Sequence, residues 1–141
     1  MIVPDLNLLV YAYNADARHH AASKHWWEDS MNGSVPVGIP ILVVSGFIRL
    51  MTQPRLLERP MTTDAALDAV ESWFSFPHVN QINPGSRHFE ILRGLLSDSG
   101  VGANLVTDAH IAAIAVEHHA EVFSNDSDFG RFSGLKWTNP I

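Results

Sequence analysis

The sequence predicts an α/β fold, a mainly parallel central sheet with helices on both faces. Short apolar runs alternate with longer amphipathic ones throughout, so strands are joined by helical crossovers, which give parallel pairing. Turn and cap residues such as Asn32-Gly33, Pro54, Pro77 and Gly100 punctuate the changes. At 141 residues, with no internal repeat, linker or low-complexity tract, the chain fits a single domain spanning 1–141.

Ile2 to Asp5 reads as a short strand, weakened by Pro4, and Leu6 to Tyr13 as a helix with apolar residues at helical spacing. An amphipathic helix is expected over 15–32, with Ala22, Trp26 and Trp27 on its inner side. "SVPVGIP" predicts a strand near Val35–Val37, and "ILVVSGFIRLMT" a mostly buried helix that stops before Gln53-Pro54. Thr62 or Thr63 with Asp64 opens a helix whose apolar stripe is Ala66, Leu67, Val70, Trp73 and Phe74. "HVNQIN" reads as a strand and "SRHFEILRGLLSDSG" as a helix ending at Gly100. Thr107 is the expected N-cap of a helix over 108–119, followed by the strands "EVFS" and "LKWTN".

Apolar residues make up 46% of the chain and charged residues 17%, a globular balance. With no cysteine there is neither a disulfide framework nor a thiolate metal site, which suits a reducing cytoplasm. The apolar N-terminus lacks a basic region and carries Asp5, so no signal peptide is expected, and no apolar run reaches the length of a membrane span. A net charge of −6 speaks against nucleic-acid binding unless carboxylates sit beside divalent cations. Seven of the nine basic residues are arginine, the better bidentate partner for phosphate.

Carboxylates stand where a folding chain has little use for them. Asp5 ends the first strand, Asp126 and Asp128 follow "EVFS", and Asp108 begins an Ala/Ile-rich helix. In a parallel sheet functional groups collect beyond the strands' carboxyl ends, so the four can converge on one edge. Each alone has a simpler reading: Asp108 answers a helix dipole, "NDSD" makes a turn, and Asp5 serves as a cap. Together they would repel one another unless a cation offset them, and oxygen-only donors suit Mg²⁺ or Mn²⁺. Such a site would polarise a phosphodiester and acidify water, the chemistry of metal-dependent nucleases.

The runs "MIVPDLNLLVYAY" and "NLVTDAHIAAIAVEHHAEVFSNDSDFGRFSGLKWTNP" resemble the PIN-domain family, and within it the VapC toxins of bacterial toxin–antitoxin pairs. The resemblance covers nearly the whole chain. It implies a three-layer α/β/α sandwich, Mg²⁺-dependent endoribonuclease cleavage of structured RNA such as tRNA or rRNA (with Mn²⁺ as a substitute ion), a VapB-type antitoxin partner and a homodimer. It implies that Asp5 and Asp108 are metal ligands, that Asp126 assists, with Ser124 as the hydroxyl of its loop, and that Asp128 positions the loop or holds metal through water. Asn7 and Asn104 would neighbour the metal's water shell. One departure stands out: most PIN domains carry a glutamate on the helix after the second strand, where this chain has Gly46, or Ser45 if the register slips by one. No acid lies between Asp29 and Glu58, which leaves three acids in place of a fuller quartet. The local "SGFIR" is similar to a VapC subgroup with a small residue before "FIR" or "FLR".

Arg49 and Arg55 are candidates to grip RNA phosphate or the antitoxin, with an ion pair from Arg49 to a core acid such as Glu90 as the alternative. The eight histidines show no ligand spacing; His118 and His119 close a helix, where they suit its dipole, and His19 and His20 could reach the site mouth. The "HWW" patch at His25–Trp27 is a candidate dimer or antitoxin contact. Two rival functions differ in class. A haloacid-dehalogenase-type phosphatase needs a second acid where Asn7 stands, and a lysine ahead of the last acidic loop, yet the only lysines are Lys24 and Lys136. A catalytically weakened scaffold that binds RNA or protein draws support from the missing glutamate alone.

Overall fold

The computed structural model describes residues 1–100 and 102–141. Five strands, β1 (Ile2–Pro4), β2 (Val37–Pro40), β3 (Val79–Ile82), β4 (Glu121–Phe123) and β5 (Lys136–Thr138), form one sheet in the order β3-β2-β1-β4-β5. Every pairing in it is parallel. The helices are α1 (Leu6–Tyr13), α2 (His20–Asn32), α3 (Ile41–Met51), α4 (Thr63–Phe74), α5 (His88–Ser99) and α6 (Val106–Glu117).

Connection direction sorts these helices into layers. The chain steps one way from β1 through β2 to β3, then returns past β1 to β4, and right-handed crossovers place the outward and returning helices on opposite faces. In keeping with that, α1 packs on α2 and α3, and α3 on α4, while α5 and α6 pack on one another. The expected α/β/α sandwich with a parallel sheet is what forms, and strand order reverses at β1.

Apolar burial holds the layers together. Val3, Ile39 and Val122 are fully enclosed in the three central strands, and α6 buries Ala109 and Ile111 to Ala115 beneath the sheet. Between α1, α2, α3 and α4 lies an aromatic cluster in which the Trp73 ring meets Phe47, Trp27 and Tyr13 edge-on at 4.7, 5.6 and 5.9 Å. The Trp73 indole N–H donates to the Tyr13 hydroxyl at 2.7 Å.

Several expectations need correction. The second strand lies at Val37–Pro40 rather than Val35–Val37, because Val35 and Pro36 are exposed and pairing with β3 begins at Val37. Both β1 and β2 end on proline, Pro4 and Pro40, where the ladder gives out and the missing N–H matters least. Helix α2 starts at His20, not residue 15, since Asn14 Oδ1 accepts from the Asp16 N–H and makes a turn. Its inner face is Ser23, Trp27, Ser30 and Met31; Ala22 is exposed. Of the "HWW" patch Trp27 is buried, Trp26 is half-buried and stacked 5.8 Å from Phe123, and His25 is exposed. Arg49, expected on a buried helix, is exposed, and Glu90 pairs with Arg87 instead. Leu67 of the α4 stripe is exposed. Thr107 is no cap: α6 begins at Val106 after a 3₁₀ turn over Ala103–Leu105, with no side-chain cap. The Thr62 cap holds, accepting from the Ala65 N–H. Gly100 ends α5 in the left-handed region at φ 65°, as its position predicts.

Candidate active site

The register of β1 on β4 fixes the site's centre. Ile2, Val3 and Pro4 pair with Glu121, Val122 and Phe123, so the chain leaves the two strands at Asp5 and Ser124 side by side. Asp5 N donates to the Phe123 carbonyl at 2.9 Å and holds that exit in place. This is where strand order reverses, the crevice in which parallel sheets place their ligands.

Ser124, wholly buried, is the hub of the crevice. Its hydroxyl donates to Asp5 Oδ2 at 2.6 Å and accepts from Asn7 Nδ2 at 3.2 Å and from the Asp126 N–H at 2.9 Å. One donor and two acceptor positions are thereby filled. Asp5 Oδ1 takes the Leu6 N–H at 2.7 Å, which makes Asp5 the N-cap of α1 as well as a buried carboxylate. Asp126 Oδ1 accepts from the Asp128 N–H at 2.9 Å and starts the 3₁₀ turn Ser127–Arg131.

A cleft of about 360 Å³ opens over this hub, lined by Asp5, Asn7, Asp108 and Asp126 with Leu6, Val10 and Tyr11 of α1 and Leu50 of α3. Asp108 reaches it from the first turn of α6. The helix dipole there favours a charged carboxylate. It loses: burial first, then repulsion from Asp5, Asp126 and Asp128, raises the Asp108 pKa from 3.8 to about 6. Burial likewise pushes Asp5 above the ordinary carboxylate range, with Asp126 adding to the rise, against the hydrogen bonds from Ser124 and Leu6 that pull it down.

The donor set fits a hard divalent cation. Among the described residues Asn7 Oδ1 is buried with no hydrogen-bond partner, Asn7 lines the cleft with Asp5 and Asp108, whose carboxyl groups are both pushed toward the neutral form, and all the candidate donors are oxygens. As they stand, no three His, Asp or Glu side chains among the described residues are drawn close enough together to grip an ion. The electrostatic coupling to Asp108 and the shared cleft nevertheless bring Asp5, Asp108 and Asp126 to one place.

The remaining sequence-predicted residues lie further out. Asp128 pairs with Arg131 at 3.1 Å and, with Asn104 and Leu105, lines a neighbouring notch rather than the cleft. Arg49 and Arg55 are exposed and outside the cleft lining, Arg49 next to Leu50 in sequence and Arg55 in the loop after α3. His19 and His20 approach the mouth through Tyr11, His19 by ring contact at 5.5 Å and His20 by Nδ1 at 2.8 Å from the Tyr11 carbonyl. Sequence reasoning passed over Tyr11, Leu6, Val10, Leu50 and Arg131. Helical spacing pointed to some of them: Leu6 and Val10, and likewise Asn7 and Tyr11, are four apart on the helix that Asp5 caps.

Residues 2–135 match the family described as PIN domain. The chain belongs to the PIN-domain family. Its relatives in that family include two proteins of Mycobacterium tuberculosis. Ribonuclease VapC33 is 40% identical over 141 residues, covering 100% of this chain and 99% of that one. Ribonuclease VapC37 is 43% identical over 140 residues, covering 99% and 97%. Among solved structures, VapBC2 from Rickettsia felis bound to a DNA fragment from its promoter superposes with a TM-score of 0.68 at 19% identity, covering 99% of this chain and 98% of that one. VapC20 of Mycobacterium tuberculosis, a sarcin-ricin loop cleaving toxin, gives 0.68 at 15% identity, covering 96% of each. At those identities the superpositions speak for the PIN fold alone.

The departure from the expected PIN pattern falls at a tight contact. Gly46 is buried, and a Cβ placed on it would lie 2.5 Å from Leu6 Cδ2. Leu6, the residue after Asp5, fills the room that a side chain at position 46 would need. Ser45, the alternative register, is exposed.

Proposed function

We propose that this chain, acting as one domain, is the endoribonuclease toxin of a type II toxin–antitoxin pair: a Mg²⁺-dependent enzyme that cleaves structured cellular RNA, tRNA or rRNA, in the cytoplasm, inhibits translation and growth, and is neutralised by a VapB-type antitoxin. The observation that carries the reading is the convergence of Asp5, Asp108 and Asp126 on one cleft at the strand-order switch, with their charges uncompensated. The ribonuclease names of its 40% and 43% identical relatives support the chemistry. The toxin–antitoxin complexes among its structural neighbours support the partner. That no helix among the described residues is long and apolar enough to cross a membrane accords with the reading.

Asp5 and Asp108 would hold the cation, Asp126 would assist, and Asn7 would offer its free Oδ1. A divalent cation bound there supplies Lewis-acid polarisation of a phosphodiester and lowers the pKa of water in its shell. Ser124 fixes the Asp5 carboxylate and the Asp126 backbone with a single hydroxyl, so the acids stay aimed at the cleft. Asp128 tethers Arg131, and Arg49 and Arg55 offer cations to flanking phosphates. We assign the protein a homodimeric state on the same family grounds.

The test is cleavage of total cellular RNA by the purified chain, freed of any partner, with Mg²⁺, Mn²⁺ or EDTA, beside Asp5→Asn. Discrete products that need metal and vanish in the variant are expected. Folded protein that cuts nothing with either ion would turn the reading toward the binding scaffold.

A further inference from the structure

The cleft over the aspartates is polar on one side only. Its other wall is Leu6, Val10 and Tyr11 of α1 with Leu50 of α3, an apolar and aromatic surface that the acid chemistry does not use. Among the described residues Tyr11 is the one aromatic side chain in that lining. It is half-buried and held in place: its ring meets His19 at 5.5 Å and 47°, and its backbone carbonyl is held by His20 Nδ1 at 2.8 Å. No hydrogen bond among the described residues engages its hydroxyl. A cleft that joins hard oxygen donors to a braced aromatic ring with aliphatic neighbours matches the two halves of a nucleotide. The phosphate belongs with the cation at the aspartates, and the flat base, apolar on its faces and polar at its edge, belongs against the ring.

We propose that Tyr11, braced by His19 and His20 and sharing its wall with Leu6, Val10 and Leu50, is the stacking platform for an unpaired nucleobase adjacent to the scissile phosphate. This rests on the ribonuclease reading and narrows its substrate to RNA that can present a nucleotide out of its helix. A paired base has both faces covered by its stack, so it cannot lie on the ring without being extruded.

The probe is a short single-stranded oligouridylate carrying one 2-aminopurine, a base whose fluorescence is quenched on stacking. It is titrated into the full chain, freed of any partner, with Ca²⁺ in place of Mg²⁺ to limit cleavage. Wild type and Tyr11→Phe should bind and quench the probe; Tyr11→Leu should bind about tenfold more weakly, without quenching. Binding by the wild type without quenching overturns the platform, a result that needs no variant to fold. So does Tyr11→Leu that binds and quenches like the wild type. A Tyr11→Leu protein that loses affinity only for its antitoxin overturns it too, in favour of a slot for a protein side chain. In any of these cases metal-dependent cleavage by the wild type leaves the ribonuclease reading standing. A wild type that neither binds nor cleaves RNA ends both.

Discussion

The aromatic cluster between α1 and α4 and the crevice beyond β1 and β4 are built from the same helix, α1, and follow opposite rules. In the cluster Tyr13 meets Phe47 and Trp73 edge-on, and its hydroxyl accepts from the Trp73 indole, so this end of α1 pairs both its ring and its polar atom, while the neighbouring Trp27 indole N–H is buried unpaired among the described residues. At the other end of α1, Asp5 is buried near Asp108 and Asp126, and Asn7 Oδ1 has no partner. One end of the helix pairs its groups within the protein, and the other leaves like charges and a polar atom uncompensated, which suits the cation proposed there. A site of unbalanced like charges needs a rigid neighbour, because repulsion would otherwise spread it apart.

That contrast predicts different losses at the two ends. Trp73→Ala should lower stability by about 3–5 kcal/mol, the cost of emptying a large aromatic site, as read by urea denaturation; a loss below ~1 kcal/mol would mean the cluster is not the rigid element. Ser124→Ala should instead leave a folded protein whose metal affinity falls about 10–100-fold, since it removes the hydroxyl that orients Asp5 and Asp126. Calorimetry with Mn²⁺ reads this, and unaltered affinity would show that the hub is structural only. Gly46→Glu, which supplies the residue type the family resemblance implies, should destabilise the chain by about 1–3 kcal/mol through its clash with Leu6. Adding Leu6→Ala should recover part of the loss; two costs that simply add would show that the positions do not compete for one space.

The smallest effect is on pH. Asp108 binds its proton more tightly folded than unfolded, so its contribution to stability is full below about 3.8 and is lost as pH rises through about 6. Metal-free Asp108→Asn should therefore outmelt the wild type at neutral pH, and the gap should close toward pH 4. Because the carboxyl is partly exposed and solvent screens it, the gap should be about 1 kcal/mol, or roughly 3–5 °C in Tm. A wild type that melts higher than the variant at pH 7 without metal would contradict the charge repulsion described here.

Much of this was legible in the sequence, for a physical reason. Asp5, Asp108 and Asp126 interrupt apolar or helical runs, and parallel-sheet topology gathers strand ends on one edge, so local position alone brings them together. Face assignments were harder. Whether α2 turns Ala22 or Ser23 inward depends on where the helix starts, and the Asn14 turn delays that start by several residues. The exposure of Arg49 and the approach of Leu50 to Asp5 are tertiary facts, set by how α3 lies across α1. Competition between Leu6 and position 46 joins residues distant in sequence, so the missing glutamate was visible as an absence while the contact with Leu6 was not.

The central claim is that the crevice is a divalent-cation site completed by Asp108. Its most direct measurement is thermal melting of the purified chain, freed of any partner, against rising Mn²⁺ and Mg²⁺, with Asp108→Asn alongside. Saturating metal should raise the wild-type Tm by several degrees, about 2.7 kcal/mol of stabilisation at a hundredfold excess over Kd, and should leave Asp108→Asn almost unmoved. A wild type indifferent to both ions, or a variant that responds as strongly, would contradict it.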